Sequence, residues 1–469
     1  MKFFKVTILS IIFTGLFTGL LYGQAAGESA GNAGLSAGKY AGKSAAWESR
    51  QASSSLSPLK LIEDSMLICG IDRASEDFLY AVERFKELEA DFNEVYLEDE
   101  SLTDEEKAEL VLVFIHDNVL TSYSLNQSFI EKTLGSGLYN CVSASLLYVA
   151  LAKSAGLDVR AQVTQDHCFV TFYSGAKKTD VETTNPYGFN PGVKKNISSS
   201  ERHKSYVTVP KKYYSGRKEV SEKMLAALPA RNLMSRYTDA SRDDEAEELA
   251  IRRMEYLADS SDDEKADALN DYILCCRNHA VTLDRQKRSD EGLAILERVM
   301  DEYGARASLQ KDYDDLYYNA MVTFYNSRDF EGGWDFIKKH SGGKYVSVDG
   351  FNKANDMMIL GWNESFFDKV LNGKDNEFSD LSQKEKYLIA ARAAEDGYKS
   401  NSSVRELKKY ADVFYNNYAI CVHNEFAAFA NAGDYENARA VLEEGLKNFP
   451  GSSNLKKDLR NLEKALKGR

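Results

Sequence analysis

Cys141 and His167 are the two residues of this chain whose types and setting could support nucleophilic chemistry. Cys141 lies in GLYNCVSASLLYVALAKSAG, residues 137–156. Asn140 is a preferred N-cap residue, which places Cys141 in the first turn of the helix that follows. Unpaired backbone N–H groups and the helix dipole favour negative charge there, the form in which sulfur attacks. His167 lies in TQDHCFVTF and could take the thiol proton. An imidazole in that role needs an acceptor to orient it, and KKTDVETTNP offers Asp180 and Glu182 on one strand face. With a hairpin turn about Gly175 and Ala176, opposed residues have numbers summing to about 350. His167 then faces residue 182 or 183, which favours Glu182 over Asp180. Asn185, whose amide oxygen can also hold an imidazole, is a third candidate. Plainer readings exist: Cys141 could be a buried packing thiol, or could pair with Cys69 or Cys168 in a disulfide.

The surrounding pattern supplies the elements that would carry these groups. Residues 72–96 read as an amphipathic helix. SLTDEEKAELVLVFIHDNVL follows, with Thr103 and Glu106 at capping-box spacing and an apolar stripe through Leu110, Val113 and Phe114. The Cys141 helix is apolar from Val142 to Leu151, as a central helix should be, and ends at Gly156. LDVRAQVTQDHCFVTFYSGAKKTDVETTNP then alternates as strand, strand, turn, strand, with His167 inside the second. Helices followed by an antiparallel sheet make an α+β domain. From about Val220 the strand signal vanishes, and long helical patterns alternate with short polar breaks.

In order, NCVSASLLYVALAKSAGL, HCFVTF and DVETTNP resemble the core of the transglutaminase-like superfamily. FIHDNVLTSYSLN is similar to the helix that precedes the family's active-site loop. The resemblance covers about residues 105–190 and implies a papain-like, transglutaminase-like domain over 59–217. It implies Cys141 as nucleophile, His167 as proton shuttle and Glu182 as orienting acid, where the family usually carries aspartate. Further on, NEFAAFANAGDYENARAVLEEGLKNFPGSS resembles the tetratricopeptide repeat, with Gly433, Asp434 and Tyr435 at the turn and Ala438 at the helix crossing. Glu425 and Phe426 depart from that pattern. Weaker copies place Gly292 and Gly333 in the same relation, so residues 220–469 are expected to form an irregular all-α repeat array.

The implied activity is thiol attack on an amide or peptide carbonyl by a cysteine protease, amidase or transglutaminase-type acyltransferase. Hydrolysis is favoured over cross-linking, with a protein or peptide substrate and a protein partner on the repeats. The alternative is a catalytically inactive module acting with the repeats as an envelope adaptor. A net charge of −13 speaks against nucleic-acid binding. Six scattered cysteines lack metal-ligand spacing, so neither a metal nor a cofactor is expected. Histidines 116, 203, 279, 340 and 423 read as surface or helix-packing residues, Cys275–Cys276 as packing, and DDEAEE and SDDEK as solvated helix starts. MKFFKVTILSIIFTGLFTGLLYG, residues 1–23, reads as an export signal, giving a periplasmic or extracellular protein, membrane-held only if the signal stays uncleaved. An Ala/Gly/Ser-rich linker is expected over 24–58.

Overall fold

The computed structural model describes residues 56–97, 101–191, 214–341, 345–374 and 376–467. The expected export signal and residues 24–55 of the linker lie outside them. The last residues of the expected linker are described: Leu56 is buried, and Ser57 accepts from the Lys60 amide to cap helix α1 (Pro58–Ile68). Proline at the first helical position gives up no bond, because that N–H has no intrahelical acceptor. Helix α2 (Glu76–Phe92) is capped by Ser75 and runs into a π-helical turn, Asn93–Leu97. The capping box of Thr103 and Glu106 starts helix α3 (Asp104–Asn118) as the spacing predicts.

A short parallel pair, β1 (Ser122–Tyr123) and β2 (Leu138–Tyr139), brackets helix α4 (Ile130–Ser136). Helix α5 (Cys141–Ser154) follows, and every residue from Val142 to Ala152 is buried. It packs against α1, α3 and α4 and against two strands of the main sheet. That sheet is antiparallel, in the order β5 (Lys177–Val181), β4 (Cys168–Ser174), β3 (Asp158–Val163), β6 (Lys218–Val220).

The β4–β5 hairpin turns at Gly175, whose φ of +59° suits a residue without Cβ. Its register pairs Thr171 with Asp180 and Ser174 with Lys177. Val159, Ala161, Cys168, Val170 and Phe172 share one face by alternation. Cys168 on that face bonds Ser145 of α5, so this is the face the central helix covers. The opposite face carries Arg160, Gln162, Phe169, Thr171 and Tyr173.

The chain divides into two compact units, one ending at Tyr237 but also holding Glu245–Tyr272, the other holding Thr238–Asp244 and the chain from Ile273 onward. The first unit thus continues beyond the expected limit at residue 217, through most of α6 (Glu222–Asp239), much of α7 (Asp243–Tyr256) and the start of α8 (Asp262–Arg285). The first unit is α+β.

The second unit is helical among its described residues. It includes α9 (Ser289–Tyr303), α10 (Ala307–Ser327), α11 (Phe330–Ser341), α12 (Val348–Asn372), α13 (Gln383–Ser400), α14 (Arg405–Asn431), α15 (Tyr435–Asn448) and α16 (Ser453–Lys467). Glycines let these helices approach closely. A Cβ on Gly445 would lie 2.6 Å from Val422, and one on Gly333 would lie 2.5 Å from the Met358 sulfur. Both expected solvated helix starts are corrected: Asp243 is 4% exposed with no hydrogen-bond partner on either carboxylate oxygen, and Glu264 of SDDEK is 5% exposed and accepts from the Ser221 N–H and Oγ. Among the described residues no helix is long and apolar enough to cross a membrane.

Candidate active site

Asn140 sets the direction of the Cys141 thiol. Its side-chain oxygen accepts from the amides of Val142 (2.9 Å) and Ser143 (3.2 Å). Its side-chain nitrogen donates to the Leu125 carbonyl (3.1 Å) and to Ser128 Oγ (2.9 Å). The amide thus uses its full hydrogen-bonding capacity while 3% exposed. Ser143 Oγ closes the capping box by accepting from the Asn140 N–H at 3.1 Å. The cap occupies the Val142 and Ser143 amides, whereas among the described residues the Cys141 N–H donates to nothing. Of the helix-start amides, that one is open to a ligand oxygen.

None of the six cysteines forms a disulfide, which removes the bonds to Cys69 and Cys168 from consideration. Cys141 is partly exposed, whereas Cys168 is 2% exposed and burial pushes its thiol up.

His167 stands one residue before β4, not inside a strand. The Thr164 amide donates to its carbonyl at 2.9 Å, closing the tight β3–β4 turn. The imidazole stacks on Phe169 at 6.0 Å and 17° between planes, and Tyr214 meets both rings edge-on. Its Nε2 lies 2.8 Å from Glu182 Oε2, and the Cys141 thiol is near enough to the ring to raise its pKa. Nε2 donates to the carboxylate, which leaves Nδ1 as the nitrogen available to the thiol.

Burial alone would lower the His167 pKa. The nearby Cys141 thiol and the bond to Glu182, with the carboxylate charge, outweigh it and raise the pKa to about 9. Burial likewise works to raise the Glu182 carboxyl, yet His167, Thr184 and Tyr214 hold it below its ordinary value. Both partners therefore move toward their charged forms.

Glu182 is 3% exposed and saturated with donors. Oε1 accepts from Thr184 Oγ1 (2.6 Å) and the Thr184 amide (3.2 Å), and Oε2 accepts from Tyr214 (2.7 Å) besides His167. Asp180 turns elsewhere: it accepts from Thr171 Oγ1 at 3.0 Å and pairs with Arg217 at 2.7 Å. Asn185 accepts from the Tyr187 amide and makes a local turn. The imidazole therefore has one carboxylate, and it is Glu182.

Three site residues were not singled out from the sequence. Tyr214 supplies a donor to Glu182. His116, near the end of α3, bonds the Thr183 carbonyl at 3.0 Å, and burial lowers its pKa to about 4, so the neutral ring donates from Nε2. Tyr123 is pushed up to about 12 by burial and by the charges of Cys141 and Glu182, which marks it as a wall of the site.

The Glu182–Thr184 segment is stitched from three sides. Besides His116, Ser145 Oγ meets Thr183 Oγ1 at 2.8 Å, and the Tyr139 hydroxyl donates to the Thr184 carbonyl at 3.3 Å. A tyrosine or histidine far along the chain announces such a role only through tertiary placement. Among the described residues no cluster of His, Cys, Asp and Glu is arranged to hold a metal ion. No family model, no curated protein and no solved structure matches the chain.

Proposed function

We propose that the first unit is a transglutaminase-like cysteine enzyme of papain-like architecture. Cys141, as thiolate, attacks a carboxamide or peptide carbonyl and forms a C–S bond. Imidazolium His167 then protonates the leaving amine as the C–N bond breaks. Glu182 stabilises the imidazolium and fixes its tautomer, and the Cys141 N–H faces the developing oxyanion. Water, activated by neutral His167, then releases the acid and regenerates the thiol. An amine in place of water would give transfer, and hydrolysis is the favoured outcome. The observation that carries this reading is the His167–Glu182 pair at 2.8 Å, with the Cys141 thiol beside the same ring.

We read the second unit as a tetratricopeptide-like array that holds a protein partner of an exported enzyme. Helix pairs crossing at small residues, as at Gly445 and Ala438, support that part.

The test uses the full chain with a peptide library and a fluorescent primary amine. New peptide N-termini report hydrolysis, and fluorescent peptides report transfer. Cys141→Ala is expected to abolish both signals and His167→Ala to cut them by about 10²–10⁴-fold. Full activity in both variants would overturn the reading.

A further inference from the structure

The second unit holds an open cavity with two tryptophans in its lining. It has a volume of about 540 Å³ and is lined by Glu331, Trp334 and Asp335, by Trp362 and Asn363, and by Asn401. Glu331, Trp334 and Asp335 fall at i, i+3 and i+4 on α11, which puts them on one helical face. Trp362 and Asn363 come from α12, and Asn401 follows the end of α13.

The chain has three tryptophans, and two of them line this cavity. Trp362 is 52% exposed, although large apolar side chains of this kind normally anchor a core or an interface. Glycines explain why the core does not absorb it. A Cβ on Gly361 would lie 2.5 Å from Phe330 and 2.7 Å from Tyr325, so the helix crossing is already filled beside the indole. Phe330 meets the Trp362 ring edge-on at 6.3 Å.

Glu331 and Asp335 are exposed, and among the described residues neither side chain has an ion-pair or hydrogen-bond partner. Like charges at i and i+4 repel and destabilise a helix. A cation between them would relieve that repulsion.

We propose that this cavity binds an arginine side chain presented by a partner protein. A guanidinium is flat enough to stack on an indole, and its planar set of donors matches two carboxylates better than an ammonium does. The proposal rests on the helical unit being a partner surface and is independent of the thiol chemistry.

The test is a fluorescence titration of the full chain carrying Trp47→Phe, which leaves Trp334 and Trp362 as the reporting indoles. The ligand is a blocked Gly-Gly-Arg-Gly-Gly peptide at millimolar concentration, compared with its citrulline analogue and with choline. A saturable change with the arginine peptide is expected. Binding should be at least about tenfold weaker with citrulline and with the Glu331→Gln, Asp335→Asn double variant, as loss of charge-assisted bonds requires. No saturable response, equal binding of citrulline, unchanged binding by the double variant, or choline binding as tightly as arginine would each overturn the assignment. Alkylation of Cys141 in the same sample reads the thiol site separately, so failure of one leaves the other standing.

Discussion

In the first unit, buried polar side chains crowd the start of α5. Asn140, Ser143, Ser145, His167, Glu182, Thr183 and Thr184 are each at most 8% exposed. In the second unit, polar groups are spread along the helices as tyrosine–carboxylate ties: Tyr313 to Glu297, Tyr325 and Tyr410 to Glu364, and Tyr415 to Glu395. A buried polar group is tolerated only when it is paired, and a partly satisfied network is worse than hydrocarbon. A fold needs no such density at one point. Its concentration around one thiol and one imidazole is what the proposed chemistry needs, whereas the ties of the helical unit are dispersed along its helices.

The sharpest break of this contrast lies within one stretch of chain. Glu182→Gln is expected to lower turnover by about 10²-fold or more, by removing the charge that stabilises the imidazolium. The same substitution should bring the His167 midpoint down from about 9 toward its ordinary 6.5 in an NMR titration. Asp180→Asn, which disturbs only the contacts to Arg217 and Thr171, should change turnover less than about twofold.

The helical unit should respond to packing instead. Gly361→Ala forces a Cβ against Phe330 and Tyr325 and is expected to cost that unit about 1–3 kcal/mol, read by hydrogen exchange of α11 and α12. Tyr214→Phe removes one of the donors to Glu182 and should cost about 1 kcal/mol, with a few-fold drop in turnover.

A further set of effects is that of pH on stability. The raised His167 contributes stability that is complete below pH 6.5 and lost as pH rises through about 9. The lowered Glu182 contributes above pH 4.5 and loses that contribution as pH falls through its folded value. His116, lowered to about 4, contributes above pH 6.5 and loses it as pH falls toward 4. His116→Gln should therefore flatten the acid limb of a thermal melting profile between those two values and leave the alkaline limb unchanged.

Local rules explain which parts of this arrangement were legible in the sequence. The Thr103–Glu106 box and the Asn140 cap are contacts within a few residues, and they form as spacing predicts. The hairpin about Gly175 set the β4–β5 register to within one residue, and that was enough to rank Glu182 above Asp180. Tyr214 was not legible, because its partner is 32 residues away. His116 looked like a helix-packing residue until the Thr183 carbonyl was brought to it from 67 residues away. His167 left the strand because the tight turn uses its carbonyl, which alternation alone cannot show.

Alkylation of Cys141 tests the central claim most directly, with Cys421 of the helical unit as an internal reference. Both thiols are partly exposed, and burial raises the pKa of Cys421. With iodoacetamide at mildly acidic pH, peptide mass spectrometry should show Cys141 modified at least about tenfold faster than Cys421, as the proposed nucleophilic role requires. His167→Ala should remove that advantage. Equal rates for the two thiols in the native chain, or a Cys141 rate unchanged by His167→Ala, would contradict the account.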